Sequence, residues 1–365
     1  MKYTIHNMVE WETFDNYLHC HSSEQPEKTL KYACFDLDNT LITTKSGKKF
    51  PIDENDWIFK YENVIKKLKN YVKHHYNIIV LTNQAGLKKK VDGVKNWKIK
   101  IENIFSELDI PINLYASLEK DRYRKPFPTF WDMISTEETN YEKSFYCGDM
   151  CGRETDFGDT DLKFAMNCKL EFFIPENIFD NCENVYPKVH YITLIRQNRD
   201  LQKFVAYKRE IVIMVGIQGS GKSSYINNEI MKKHSKIYKI ISKDIDGTTK
   251  KCCDKCEKYI SNNFSIIIDN TNPSKGDRKC YIDIAKKYNY NVRCIVMRID
   301  EKYAKHNTCY RHYITRGERK MIPDIAFNVF KKKFEEPNKS EGINELITIE
   351  YNPIIKDERY NLFFY

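Results

Sequence analysis

The sequence predicts two α/β domains in tandem, each built on a doubly wound parallel sheet. Three observations carry this. The chain has 365 residues, about twice the length of an ordinary domain. Two strand–turn–helix units stand out, YACFDLDNTL at 32–41 and EIVIMVGIQGSGKSSYINNEI at 210–230. Behind each unit, short apolar runs alternate with helical stretches: NIIVLTNQ and SFYCGDM in the first half, then KIYKIIS, SIIIDNTN and VRCIVMRI in the second. Alternating strands and helices imply parallel sheets, whose ligands sit beyond the carboxyl ends of the strands.

In chain order, residues 1–28 are polar and irregular and read as a short lead-in, 29–205 as the first domain and 206–365 as the second. The boundary is expected near 196–208, RQNRDLQKFVAYK. There is no internal repeat. Hydrophobic residues make up 41% of the chain, with 25 Tyr and 20 Phe, enough apolar material for two cores, which excludes a disordered chain. No apolar run approaches the roughly 20 residues that span a bilayer. The start, MKYTIHNMVEWETFD, lacks a basic segment followed by an apolar one and is not a signal peptide. The expectation is a soluble intracellular protein with no membrane partner, monomeric, in nucleus or cytoplasm. Twelve cysteines then read as free thiols. The cluster Cys252, Cys253, Cys256 has no second ligand pair nearby for zinc. Charge is uneven: residues 206–365 carry 31 Lys and Arg against 20 Asp and Glu, a net of +11, while residues 1–205 carry 29 against 31, a net of −2. A basic half suits a polyanionic partner; the bland alternative is a lysine-rich surface from an A+T-rich genome.

The first unit ends in two carboxylates, Asp36 and Asp38, flanking one residue after a strand. Alternate residues of an extended chain face the same side. Two carboxylates held together raise each other's energy unless a cation or a reacting proton relieves them. That suits a nucleophile, a general acid/base and a divalent metal; the bland alternative is a polar turn capping a helix. The following strand ends add Thr82 and Asn83, then Lys125 before Pro126, then Asp149. Asp156 and Asp161 in DFGDTD read as surface acids of a loop.

Taken in order, these motifs resemble the haloacid-dehalogenase phosphatase superfamily over residues 30–180 or so. The resemblance implies that Asp36 attacks phosphorus to form an aspartyl-phosphate and that Asp38 protonates the leaving hydroxyl, then activates water. It implies that Thr82, Asn83 and Lys125 bind the phosphoryl group. Asp36, the Asp38 carbonyl and Asp149 are then expected to hold Mg²⁺, which suits hard oxygen ligands. Thr82 follows Asp36 by 46 residues and Lys125 follows Thr82 by 43, which leaves no room for a large cap domain. By analogy, a capless site is open to large substrates.

The second unit holds a complete GxxxxGKS between a strand and a helix, Gly216 to Ser223. Glycines let backbone N–H groups surround phosphates, and the helix N-terminus favours the anion. Gly216, Gly219, Ser220, Gly221, Lys222, Ser223 and Ser224 form the candidate nucleotide site, with Lys222 reaching the β- and γ-phosphates and Ser223 binding Mg²⁺. Asp244 stands beyond the next strand, where a carboxylate can take a proton from an incoming hydroxyl. Asp269, Asn270 and Asn272 end a third strand. KHNTCYRHYITRGERK then offers His306, Asn307, Arg311 and Arg316 as cations and donors over the transferred phosphate, or as a solvated basic helix.

The whole order, phosphatase, phosphate loop, DNTNPS, HNxxxR, resembles the polynucleotide kinase 3′-phosphatase family from residue 30 to about 340. The resemblance implies removal of 3′-phosphates and ATP-dependent phosphorylation of 5′-hydroxyl ends, on DNA strand ends with RNA as the alternative. Asp244 is then the kinase base, Arg311 the cation over ATP, and Asp269, Asn272 and Arg316 supporting residues. Animal members of the family carry an N-terminal phosphopeptide-binding domain of about a hundred residues, which cannot fit before residue 30, so phosphopeptide-scaffold recruitment is not expected. Lys243 stands where the family pattern suggests Arg. Two other readings are a small-metabolite kinase fused to a phosphatase, opposed by the basic half, and a binding module with decayed sites, opposed by the intact Asp36, Asp38, Lys222, Ser223 and Asp244.

Overall fold

A computed structural model describes residues 9–23, 29–188, 204–350 and 357–365. The chain divides into two compact units, one running to Ile192 and including Asn361–Tyr365, the other spanning Thr193–Tyr360. The expected boundary at 196–208 falls largely outside the described residues. The last five residues, read with the second domain from sequence, cluster with the first unit because Phe364 packs on Phe127, with ring centroids 5.2 Å apart.

The first unit contains β1 (Val9–Thr13), β2 (Tyr17–Ser22), β3 (Tyr32–Phe35), β4 (Ile42–Thr43), β5 (Ile58–Phe59), β6 (Asn77–Asn83), β7 (Asn113–Ser117), β8 (Phe145–Cys147) and β9 (Glu171–Phe173). Seven of these form one sheet in the order β1-β2-β7-β6-β3-β8-β9. From β7 to β9 the strands run parallel, as expected. The edge differs: β2 pairs antiparallel with β7, and β1 antiparallel with β2. Residues 9–22 are therefore sheet rather than irregular lead-in. Leu18 and Cys20 face the core, while His19 lies on the other face, stacked on Tyr115 at 4.2 Å. His19 and His21 are half-buried on that face beside Tyr17, which is buried against Phe130.

β3 is buried throughout, and the register sets Phe35 beside Val80 of β6 and Cys147 of β8. The chain segments carrying Asp36, Thr82 and Asp149 thus leave the sheet at one edge. Between β3 and β6 lie only the two-stranded β4–β5 hairpin and helix Val64–Lys73.

The second unit contains β10 (Glu210–Val215), β11 (Tyr238–Ile241), β12 (Ser265–Ile268), β13 (Asn291–Arg298) and β14 (Glu345–Glu350). All five run parallel in the order β11-β12-β10-β13-β14. β10 is central and buried along its length. Chain order reverses beside it, the crevice where such sheets bind ligands. Cys252 and Cys256 are buried on helix Thr249–Ser261, and every cysteine is free. Among the described residues no helix is long and apolar enough to cross a membrane.

Candidate active site

Two sites emerge, one in each unit. In the first, Lys125 is buried and its Nζ meets three oxygens: Asp36 Oδ1 at 2.7 Å, Tyr146 Oη at 2.6 Å and Asp161 Oδ1 at 2.8 Å. Burial alone disfavours its charge, yet the carboxylates of Asp161 and Asp36 reverse this and hold its pKa above the usual value. Asp36 is raised well above the carboxylate range, first by burial and then by Asp161 and Asp149, with Lys125 opposing. Asp149 is pushed up to about 7, chiefly by burial, and its Oδ1 is buried with no hydrogen-bond partner among the described residues. Carboxylate oxygens of Asp36, Asp149 and Asp161 all lie within 4.8 Å of one another.

Asp161 corrects the sequence reading. It is 1% exposed, not a surface acid. It accepts from Tyr146 Oη at 3.0 Å and from the Met150 N–H at 3.1 Å. It lies in the first turn of helix Thr160–Asn167, and its role becomes visible only once Lys125 and Tyr146 converge on it. Gly148 makes room: a Cβ there would lie 2.5 Å from the Asp161 carboxyl. Asp156 is also drawn inward, accepting from the Cys151 and Arg153 N–H groups at 3.1 and 3.0 Å and tying the loop that follows Asp149.

Asp38 is half-exposed. Its carboxylate accepts from Gln84 Nε2 at 2.6 Å and lies 3.6 Å from Lys100 Nζ, whose side chain is buried. The Asp38 side chain is thus separate from the three-carboxylate group. Gln84 Nε2 also donates to Thr82 Oγ1 at 3.0 Å. Asn83 does not present its amide to the site. Its Oδ1 accepts from the Lys125 N–H at 2.9 Å and its Nδ2 donates to the Lys125 carbonyl at 3.2 Å, so it clamps the backbone that carries the buried lysine. Sequence reasoning missed Gln84, Lys100 and Tyr146. Gln84 adjoins the Thr82–Asn83 pair and could have been read with it; nothing local marks the other two.

In the second unit, a cavity of about 810 Å³ is lined by Gly219, Gly221, Lys222, Ser223, Ser224, Asp244, Asp269, Asn272 and Arg311 among others. Gly219 has φ +77°, and a Cβ there would lie 2.2 Å from the Ala304 carbonyl oxygen, so only glycine lets the loop pass beneath helix Glu301–Ile314. Lys222 Nζ donates to the carbonyls of Gly216 and Ile217 at 2.8 and 2.9 Å and to Ser220 Oγ at 3.2 Å. Burial lowers its pKa to about 8. Ser223 Oγ donates to Asp269 Oδ2 at 2.7 Å.

Asp244 is exposed at the mouth, its N–H held by Ser242 Oγ at 3.2 Å, while the Lys243 N–H donates to Asn270 Oδ1 at 2.8 Å. Arg311 lines the cavity with its Nε buried and unpartnered among the described residues, an arrangement suited to an anion. Asn272 spends its amide on the backbone: its Nδ2 donates to the Met214 carbonyl at 2.7 Å and anchors the loop to β10. Arg278, fully buried, donates to the carbonyls of Asn272 and Pro273 and pairs with both oxygens of Glu341. Asn307 Nδ2 donates to the Gly219 carbonyl at 2.8 Å, and Tyr360 Oη donates to Asn307 Oδ1, which ties the phosphate loop to the helix above it. His306 is buried with Nε2 2.6 Å from the Tyr360 carbonyl, so it is structural. Arg316 is exposed on the turn after that helix and does not line the cavity.

The family described as polynucleotide kinase 3 phosphatase matches residues 31–179, and an AAA domain family matches residues 211–337. A bifunctional polynucleotide phosphatase/kinase of Schizosaccharomyces pombe is 35% identical over 348 residues, covering 93% of this chain and 84% of the relative. A putative bifunctional polynucleotide phosphatase/kinase of Acanthamoeba polyphaga mimivirus is 32% identical, covering 96% and 91%. A polynucleotide 3′-phosphatase of Saccharomyces cerevisiae is 26% identical over 216 residues, covering 43% of this chain and 91% of the relative. With both sites in place and similarity along nearly its whole length, this chain belongs to the bifunctional polynucleotide phosphatase/kinase family.

Proposed function

We propose that this protein heals DNA strand ends, removing 3′-phosphates at the Asp36 site and phosphorylating 5′-hydroxyls with ATP at the Lys222 site. The observation that carries the reading is the presence on one chain of a buried carboxylate paired with a lysine and of a complete phosphate loop facing an exposed aspartate. The net of +11 over residues 206–365 supports a polyanionic substrate.

In the phosphatase, Asp36 attacks phosphorus as the bond to the strand's O3′ breaks, and Asp38 gives that oxygen its proton. Asp38 then takes a proton from water, which displaces Asp36 and releases phosphate. Lys125 orients Asp36 through the 2.7 Å contact and offsets charge on the phosphoryl oxygens. The site's residues fit a divalent cation: three carboxylates converge, and Asp149 Oδ1 lacks a partner among the described residues. Asp36, Asp149 and Asp161 are placed to hold Mg²⁺, with the Asp38 carbonyl as the ligand that family resemblance adds. The metal supplies Lewis-acid stabilisation of charge on phosphate.

In the kinase, Asp244 takes the proton of the 5′-hydroxyl, whose oxygen attacks the γ-phosphorus of ATP as the bond to ADP breaks. Lys222 and Arg311 neutralise the phosphate oxygens. The Ser223–Asp269 pair is suited to Mg²⁺ carried with the nucleotide.

The Asp149 pKa fixes a pH dependence. Its folded value of about 7 lies above the unfolded value of roughly 3.9. The folded state therefore binds this proton more tightly. Metal-free protein has this contribution in full below about pH 4 and loses it as pH rises to about 7. A divalent cation takes the proton's place, so in nucleotide-free protein the Mg²⁺-induced rise in Tm should be larger at pH 8 than at pH 6. An equal or larger rise at pH 6 would contradict the site. The substrate reading is tested with matched DNA and RNA oligonucleotides bearing 5′-hydroxyl ends. DNA should give the higher kcat/KM; a preference for RNA would replace DNA repair with RNA end-healing.

A further inference from the structure

The turn that carries Lys125 is held from two directions. Asn83 grips the backbone N–H and carbonyl of Lys125 itself. Asn167, buried at the end of helix Thr160–Asn167, grips the next residue: its Nδ2 donates to the Pro126 carbonyl at 2.8 Å. The same amide is occupied by a segment 196 residues away. Asn167 Nδ2 donates to the Phe363 carbonyl, and its Oδ1 accepts from the Phe363 N–H at 2.7 Å. Both polar atoms of the side chain are thereby fixed, which locks its orientation toward Pro126. Phe364, 3% exposed, covers Phe127, itself 3% exposed. Lys163, on the same helix as Asp161, donates to the Tyr365 carbonyl at 2.7 Å. Neither family match, at 31–179 or 211–337, reaches Phe363–Tyr365.

We propose that Phe363–Tyr365 is a positioning strap of the phosphatase site. It fixes the Pro126–Phe127 turn and the far end of the Asp161 helix, and so holds Lys125 Nζ between Asp36 and Asp161. Its residues act through Asn167 and Phe127 and are positioning residues. Sub-ångström placement matters here, because misplacing a reacting group by about 1 Å can cost on the order of a hundredfold in rate. Contacts that hold first-contact groups in place commonly decide such placement. The inference rests on the reading of Asp36 and Lys125 as phosphatase residues.

The test uses the full chain with Phe364→Ala, Phe364→Leu and Asn167→Ala. Each is assayed on a 3′-phosphorylated oligonucleotide, on p-nitrophenyl phosphate, and for 5′-kinase activity. The strap predicts that Phe364→Ala and Asn167→Ala lower phosphatase kcat at least tenfold on both substrates. KM should change less than threefold and kinase activity less than twofold. Phe364→Leu, which keeps an apolar cover, should recover most of the loss. A lower yield of folded protein with unchanged kcat per folded molecule would overturn the strap. So would a loss confined to KM, or a parallel fall in kinase activity. If Phe364→Ala fails to fold, Asn167→Ala decides alone: it should lower phosphatase kcat at least tenfold, and full wild-type kcat would sink the idea. Asp36→Asn run alongside separates the two claims. If it removes phosphatase activity while the strap variants match wild type, only the strap is wrong; if it retains activity, the site itself is misread.

Discussion

Asp36→Asn is expected to abolish 3′-phosphate removal while leaving 5′-phosphorylation at the wild-type rate. The amide keeps the shape of the carboxylate, and its oxygen can still accept from Lys125 Nζ, now 2.7 Å from Asp36 Oδ1. It is not a nucleophile. Losing the covalent nucleophile should cost on the order of 10⁴–10⁶ in kcat, as for residues of that kind elsewhere. Folding should not suffer, because the change removes one of three converging carboxylates that repel one another. Single-turnover assays on a 3′-phosphorylated oligonucleotide read the loss directly. Retention of more than about a tenth of the activity, far above that range, would exclude Asp36 as the attacking group.

The converse result is expected of Lys222→Ala. The ammonium is buried among the carbonyls of Gly216 and Ile217 and the Ser220 hydroxyl, so truncation removes the cation and leaves those acceptors to water. Its pKa of about 8 means that most molecules carry the charge at pH 7, and bound phosphates favour it further. Removing one preorganised donor of transition-state charge costs roughly 10²–10³ in kcat, and a full cation should cost at least that. Phosphate removal, which needs no ATP, should continue unchanged. If a well-folded Lys222→Ala protein loses both activities together, the assignment of one activity to each site is wrong.

The parts of this molecule that sequence made legible are those where local chemistry is unambiguous. YACF, IVIMV and SIII are apolar on both faces because they are interior strands, and the residues after them had to stand at a ligand-bearing edge. GIQGSGKS is interpretable because its glycines and lysine serve phosphate and little else. Legibility ended where a residue's meaning depends on distant partners. His19 and His21 hid β2, because two half-buried histidines interrupt a strand whose Tyr17, Leu18, Cys20 and Ser22 are buried. Lys100 lies on helix Gly93–Leu108 among Trp97, Ile101 and Ile104, and a lysine there reads as solvated until Asp38 is found beside it. Asp161 read as a surface acid of a loop, yet it is buried. Asn83 was read as a phosphate ligand and Asn272 as a supporting residue of the kinase; both spend their amides on backbone, one holding Lys125, the other β10. Arg316 carries the right charge, but the turn at 315–317 leaves it facing solvent.

The central claim is that one chain carries two phosphoryl-transfer sites that together prepare a strand break for ligation. It is tested most directly with a nicked DNA duplex bearing a 3′-phosphate and a 5′-hydroxyl at the nick, incubated with wild-type protein and Mg²⁺, with and without ATP, followed by a DNA ligase. Without added ATP the 3′-phosphate should be released and the 5′-hydroxyl should persist. With ATP both ends should be converted and the nick should become sealable. Release of phosphate only when ATP is present, or a 5′ end that stays unphosphorylated with ATP, would contradict the account.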